Sequence, residues 1–360
     1  LRIVFVLAEA HMAGGVRVVA TYGQHLQQRG HEVVVVSRPI KPPTLKQQVK
    51  SVLRDQKIIP RPVQGKSHLD DMGLDHRMIS EFRPIGERDL PDADVVVATW
   101  WETAEWVAKL PARKGAKVHY IQDHEIWGNP PMDRVTAVYR LDMPKIVISR
   151  FLRDLMREKY QRDPVALIEN GVDLVQFDSP PRGKQPVPAM GTAYSNKHNK
   201  GTDLALKAYE LAARQLPGLK LVMMSNEVMG ELQLPPGTDF TYQARDKQLV
   251  DIYARCDVWL FSTRWEGFGL PLLESMACRT PVVAAPAGAA PDIVGRGGGI
   301  LVPPENPQAM ADAVRKVCTM PDGDWRALSE TARTTASFYS WKRAVDLFEA
   351  TLLGVAGKRA

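Results

Sequence analysis

At 360 residues, 44% hydrophobic and 24% charged, the chain has the composition of an ordinary globular protein and is long enough for two domains. Its net charge of +6 suits an anionic partner, whether a nucleotide, an acidic lipid surface or a nucleic acid, without choosing among them. No run of about eighteen apolar residues occurs, which argues against a spanning helix and leaves peripheral membrane contact open.

Leu1 to Leu7 reads as a strand rather than an export signal, because it runs into a glycine-rich turn with no cleavage-like segment. Between Gly15 and Gly30, Val18, Val19, Tyr22 and Leu26 recur at helical spacing, and Val33 to Val36 is a second buried strand. Pro39 to Asp89 is rich in Pro, Lys and Gln and poorly periodic, so only short irregular elements are expected there. Asp94 to Ala98, Lys117 to Ile121 and Lys145 to Ser149 read as further parallel strands separated by helices, and Ala166 to Ile168 closes the series. A second alternating series starts near Pro188. It comprises a helix at Thr202 to Gln215, a strand at Leu219 to Met224, a helix at Asp246 to Arg255 and a strand at Val258 to Ser262. A helix at Pro271 to Ala277, a strand at Val282 to Ala285 and helices at Pro307 to Cys318 and Trp341 to Leu353 complete it. Repeated strand-helix alternation in both halves predicts an α/β protein of two Rossmann-like domains, with ligands at the carboxyl ends of the strands in a cleft between facing domains.

The segment RWEGFGLPLLESMACRTPVVAA, from Arg264 to Ala285, carries the sharpest chemical signal. Glu266 falls in the loop after a strand, and Glu274 in the first turns of the helix that Pro271 opens. The Gly269 and Leu270 amides at that helix start suit a phosphate, while a carboxylate that accepts two hydroxyls suits a sugar or ribose diol. Spacing alone equally allows a solvated loop acid at Glu266 and a helix-dipole partner at Glu274, worth at most about 1 kcal/mol. Elsewhere, Trp100, Trp101 and Trp106 are expected to pack, and Cys256, Cys278 and Cys318, which form no CxxC pair, are expected as buried reduced thiols in a reducing compartment. The basic residues are dispersed among acids, so nucleic acid is not an expected partner. AGGVRV is not a GxGxxG turn and no acid ends the second strand, which argues against a dinucleotide oxidoreductase.

EGFGLPLLE followed by SMACRTPVVAA resembles the signature of retaining, family-four glycosyltransferases of the GT-B fold. AGG with the later RGHEVVVVS, NGVD at 170–173, NKGTD at 199–203 and GGGILVPPENPQAMADAV extend the likeness over most of the chain. The resemblance implies an acceptor-side domain over residues 1–170 and a nucleotide-sugar domain over 171–335. A C-terminal helix in 336–360 would pack back on the first domain.

Read through that resemblance, Glu266 contacts hydroxyls of the transferred sugar and Glu274 the ribose, while Gly267, Phe268, Gly269 and Leu270 line the donor pocket. Gly15 is the close-approach glycine of the opposite domain, and Lys200 is the cation for the diphosphate. Family members place an arginine shortly before this lysine; MGTAYSNKHNKG has none, so either Lys197 or His198 substitutes or the phosphate grip is weaker. Gln122 and Asp123 stand where the family has a His-Asp pair, in a QDHE form similar to rhamnosyltransferase-like and surface-polysaccharide enzymes. His124 and Trp127 fall on the acceptor side.

The implied activity is that of a hexosyltransferase-like enzyme in polysaccharide or glycoconjugate synthesis. It would move a sugar from a nucleotide-diphosphate donor to a glycan, lipid-linked or small-molecule hydroxyl. No metal or other cofactor is expected, since no DxD pair ends a strand and the His119, Asp123 and His124 group lacks zinc spacing. The expected location is the cytoplasm, with the inner face of a membrane as a further option. A nucleotide-sugar epimerase and a noncatalytic carbohydrate-binding protein are the alternatives.

Overall fold

The computed structural model describes residues 1–357 apart from Arg61, Gln64, Glu231 and Asp246. Its chain opens with β1 (Arg2–Glu9), α1 (Gly14–Gln28), β2 (Glu32–Arg38), α2 (Leu45–Asp55), β3 (Asp75–Met78), β4 (Val95–Ala98) and α3 (Trp101–Ala108). There follow β5 (Ala116–Ile121), α4 (Met132–Tyr139), β6 (Lys145–Val147), α5 (Arg150–Tyr160) and β7 (Ala166–Leu167). These seven strands form one sheet in the order β3-β2-β1-β4-β5-β6-β7, with β1 parallel to both β2 and β4 and Val4 facing Val34 on one side and Val96 on the other. Central strands covered on both faces have no solvent side, which is why they read as near-continuous valine rather than as an alternation.

The second series is β8 (Ala189–Ala193), α6 (Thr202–Gln215), β9 (Lys220–Ser225), β10 (Asp239–Tyr242), α7 (Lys247–Ala254), β11 (Val258–Phe261) and α8 (Leu270–Ala277). It continues through β12 (Val282–Ala284), α9 (Ala290–Val294), β13 (Gly299–Leu301), α10 (Pro307–Thr319), α11 (Asp322–Ser337) and α12 (Trp341–Gly357). Its six strands order as β10-β9-β8-β11-β12-β13, so both sheets start in the middle, grow to one edge, then cross back and grow to the other. That reversal creates a crevice at the carboxyl ends of the two central strands, β1 and β4 in one sheet and β8 and β11 in the other.

The chain divides into two compact units, one of Leu1–Ile146, Met156–Ala166 and Leu347–Ala360, the other of Val147–Leu155 and Leu167–Asp346. Within the first, the later part of α12 completes the core: Phe348 lies 4.4 Å from the Tyr22 ring, 5.3 Å from Tyr120 and 6.2 Å from Phe5, centroid to centroid. The neighbouring Glu349 takes Arg29 and His31, each at 2.6 Å. In the second, Leu204, Leu221, Leu260, Val283, Met310 and Trp325 meet in one core, and the Trp325 indole donates to Asp257 O at 2.9 Å.

Two expectations need correction, and one helix escapes the sequence reading altogether. The segment from Pro39 to Asp89 holds a capped eleven-residue helix, α2, and the edge strand β3. Residues 322–337 form a sixteen-residue helix whose buried face, apart from Trp325, is Ser329, Ala332, Thr335 and Ala336, a face too small and polar to show as periodicity. The helix starting at Pro271 begins one residue earlier, with Gly269 as its cap. Asp246, expected to open a helix, lies outside the described residues. All three cysteines are buried free thiols, and burial raises their pKa, to about 12 for Cys278 and Cys318.

Candidate functional site

In the second unit, β8 and β11 are hydrogen-bonded neighbours, and the loops leaving their carboxyl ends carry Lys200 and Glu266. The Lys200 ammonium donates to Glu266 Oε2 at 2.5 Å. This pairing rests on close backbone packing. Gly201, at φ +67°, caps α6, and a Cβ there would stand 2.2 Å from Ser262 O, so only glycine lets the two loops touch. Arg264 fastens the same contact. Its guanidinium takes both Asp203 oxygens and Glu305 at 2.7 Å and His198 O at 2.8 Å, while its backbone N–H donates to Asn199 O. On the other side Glu227 accepts from Ser195 Oγ and the Asn196 amide. Lys200 is thus presented from a loop held at both flanks.

Of the two residues expected to replace the absent arginine, Lys197 is exposed with its Nζ 3.9 Å from Glu227, and His198 sits edge-on to Trp265 at 6.1 Å. Sequence reasoning missed Arg264, although it stands two residues before Glu266.

Glu274 is buried, 3% exposed, on the first turns of α8. The hydroxyl of Tyr253, from α7, donates to its Oε2 at 2.8 Å. Tyr253 is fixed by Trp259 of β11 at 4.6 Å, edge to face, so strand and helix together aim the carboxylate. Nothing in the spacing of Tyr253 marks it as a partner; adjacency of α7 and α8 does. Gly269, at φ +106°, caps α8, and a Cβ there would press on the Phe261 ring at 2.9 Å. The Phe268 side chain is buried and meets Tyr339 edge-on, so it supports the loop from beneath. Gly267 is buried between Glu266 and Phe268, and Leu270 is half-buried at the helix start.

In the first unit, Gly15 lies in the first turn of α1 beside Gln122, and a Cβ at Gly15 would meet the Gln122 amide at an ordinary 3.5 Å. The chain itself therefore leaves room for a side chain there. Gln122 Oε1 is buried without a hydrogen-bond partner. Asp123 accepts from the His124 amide at 2.8 Å and from the Trp127 indole at 3.3 Å.

The buried rings of Tyr160, Tyr139 and His119 pack around this loop and its His124. His124 Nε2 meets the Tyr160 hydroxyl at 2.8 Å, and burial with Lys159 nearby lowers the His124 pKa to about 4. The Tyr139 hydroxyl accepts from the Glu125 amide at 3.1 Å, and His119 stacks on Tyr139. His119 is fully buried with neither ring nitrogen hydrogen-bonded, and burial beside Lys145 takes its pKa to about 3. Glu125 caps α3 through the Trp101 amide at 2.5 Å, and burial pushes its carboxyl well above the usual range. Trp101 and Trp106 are buried packing residues, as expected, and Trp100 stands edge-on to the exposed Trp127 at 5.1 Å. Among the described residues no group of three or more His, Cys, Asp or Glu is arranged to hold a metal ion.

A family model described as Glycosyltransferase Family 4 matches residues 12–176, and one described as Glycosyl transferases group 1 matches residues 188–335. A D-inositol 3-phosphate glycosyltransferase of Saccharomonospora viridis is 31% identical over 210 residues, which take in 51% of this chain and 48% of that protein. The chain thus spans about half the length of this curated relative. Among solved structures, sucrose-phosphate synthase from Thermosynechococcus elongatus aligns over 99% of both chains with a TM-score of 0.70 at 16% identity. Anabaena Alr3699/HepE, in complex with UDP and glucose, aligns over 98% of this chain and 100% of its own with a TM-score of 0.71 at 16% identity. At such identities the likeness carries the fold, which is GT-B. With one model on each half and the same strand order in both sheets, the chain belongs to the GT-B glycosyltransferases of family four and group 1.

Proposed function

We propose that this protein is a retaining glycosyltransferase that moves a sugar from a nucleoside diphosphate to a hydroxyl acceptor. The observation that carries the reading is the Lys200–Glu266 pair at the crossover of the second sheet, one helix start away from the buried Glu274. In this reading the bond from the anomeric carbon to the diphosphate breaks as the acceptor oxygen attacks on the same face, and the acceptor proton passes to the departing phosphate oxygen. Lys200 and the amides at the start of α8 stabilise the charge that grows on the leaving group, a contribution larger in the transition state than in the ground state. Glu266 orients the sugar hydroxyls and, by its contact with Lys200, sets where the ammonium points. Glu274, held by Tyr253, accepts from the ribose.

Gln122, Asp123 and Gly15 serve the reacting sugar and the acceptor in this reading. Trp127, exposed beside Asp123, rather than the buried His124, faces the acceptor. The donor rests on diphosphate chemistry without a metal. The UDP and glucose bound to the Anabaena protein favour UDP-sugars for the first trial. The acceptor is a glycan, a lipid-linked or a small-molecule alcohol, met at the cytoplasmic face of a membrane.

Incubation with UDP-, GDP-, TDP- and ADP-sugars and varied alcohols tests the reading. Acceptor-dependent release of nucleoside diphosphate, with the anomeric configuration retained by NMR, is the expected result. Epimerised donor without acceptor would assign an epimerase instead, and glycan binding without turnover of any donor would assign a binding protein.

A further inference from the structure

The helix α2 is unlike any other in the chain. None of its described side chains is fully buried, and its apolar residues face outward: Leu45 is 81% exposed, Val49 51%, Val52 46% and Leu53 80%. At about 100° per residue these four fall within an arc of about 100°, one face of the helix. Lys46, Lys50 and Arg54 occupy the adjoining arc. The remaining polar side is already used: the Gln48 amide exchanges hydrogen bonds of 2.8 and 3.0 Å with the Ile59 backbone, and Ser51 Oγ donates to Lys57 O. Thr44 and Gln47 close a capping box at its start. The helix is therefore braced along one side, while Val49, Val52, Leu53 and the 78% exposed Ile58 rim an open hollow of about 410 Å³.

We propose that α2 is a membrane-docking element, which lays this face into the headgroup boundary of an anionic bilayer. Residues 41–58 carry five basic side chains against one acid, and Lys46 and Lys50 border the apolar stripe, where their stems lie along hydrocarbon while the charges reach lipid phosphates. A helix of eleven residues is about 16 Å long, far short of a bilayer's hydrocarbon, so it lies on the surface and does not cross it. A second copy of the chain fits poorly. The face offers a handful of side chains where a stable dimer uses roughly 20–30 on each side, and the two cationic stripes would repel. The purpose of such docking, to bring the enzyme to a lipid-linked acceptor, rests on the proposed function; the binding itself does not.

The test is co-sedimentation of the full chain with phosphatidylcholine vesicles made with and without phosphatidylglycerol. Binding to the anionic vesicles alone, weakened by salt, is expected. Val49→Glu with Leu53→Glu should lower that binding by about tenfold or more, and Lys46→Gln or Lys50→Gln by about fivefold each. The melting temperature and turnover of a water-soluble acceptor should stay unchanged in all of them, which separates loss of docking from loss of transferase activity. The proposal is overturned if the wild type binds neither vesicle or both equally, or if the Val49→Glu/Leu53→Glu variant binds as well as the wild type. It is overturned equally if those substitutions instead abolish a concentration-dependent dimer.

Discussion

Two loops leave the carboxyl ends of parallel strands with a similar cast of residues, and they treat their acids in opposite ways. After β11, Glu266 lies against the Lys200 ammonium. After β5, Glu125 is sealed behind the loop on a helix-start amide, its other oxygen buried without a hydrogen-bond partner and its carboxyl held toward the neutral form. Glu266 keeps a cation in contact on a half-buried loop. Glu125, sealed without a cation, has its carboxyl pushed above the usual range by burial and serves as a brace. Residue type alone does not distinguish the two; what packs around each acid does.

The sharpest way to break this contrast is to remove the cation. Lys200→Met should lower kcat by about 100- to 1,000-fold, as expected for loss of a group that stabilises leaving-group charge. Steady-state transfer that stays within about tenfold of wild type would remove Lys200 from the chemistry. Glu266→Gln is the next largest change: kcat should fall by about 10- to 100-fold while nucleoside diphosphate binding, read by calorimetry, moves by less than about threefold. A large loss of nucleotide affinity would instead make Glu266 a nucleotide ligand.

Tyr253→Phe leaves Glu274 without its hydroxyl donor. Donor KM should rise about fivefold with kcat nearly constant, and the fold should lose about 1–2 kcal/mol in a urea melt. Unchanged KM would mean that Glu274 is aimed by α8 alone.

The smallest effect belongs to the neutral acid. The pKa of Glu125 is raised in the folded chain, so between its ordinary value and that raised value the folded state holds a proton that the unfolded state has released. Its contribution to stability is therefore complete below about pH 4.5 and is lost as pH rises. Glu125→Gln keeps a carbonyl for the Trp101 amide and removes the titration. Its melting temperature should exceed that of the wild type by a few degrees at pH 8, about the shift of 1 kcal/mol, and the gap should close toward pH 5. A gap that widens toward acid pH would mean that Glu125 is charged in the fold.

Much of this was readable in the sequence where periodicity and burial coincide. The helix from Thr202 to Gln215 was legible to the residue because its buried side chains recur at helical spacing after a glycine start. The valine runs at Val33 to Val36 and Val95 to Val97 declared strands covered on both faces. α2 went unread because its four apolar residues, although at helical spacing, sit among lysines, glutamines and flanking prolines and stay about half exposed or more, so composition outweighed period. Gly201 and Gly269 were visible as glycines near a motif, but why they must be glycine depends on Ser262 and Phe261, which only the folded sheet brings within reach. Lys200 and Glu266 each stood out singly. That they touch follows from β8 lying next to β11, a fact of strand order that no local pattern encodes. Tyr253 and Arg264 were unreadable for the same reason: each acts through a partner on another element.

The closure of the first unit by α12 bears on how the protein is made. Phe348, which fills the space among Phe5, Tyr22 and Tyr120, and Glu349, which holds Arg29 and His31, leave the ribosome after all of Leu167–Asp346. At usual elongation rates that interval is roughly 10–40 s. For that time the nascent first unit lacks the ring that covers Phe5, Tyr22 and Tyr120. A chain that stops short of Phe348 would leave those three rings uncovered. β1 therefore waits for α12, with the whole second sheet made in between.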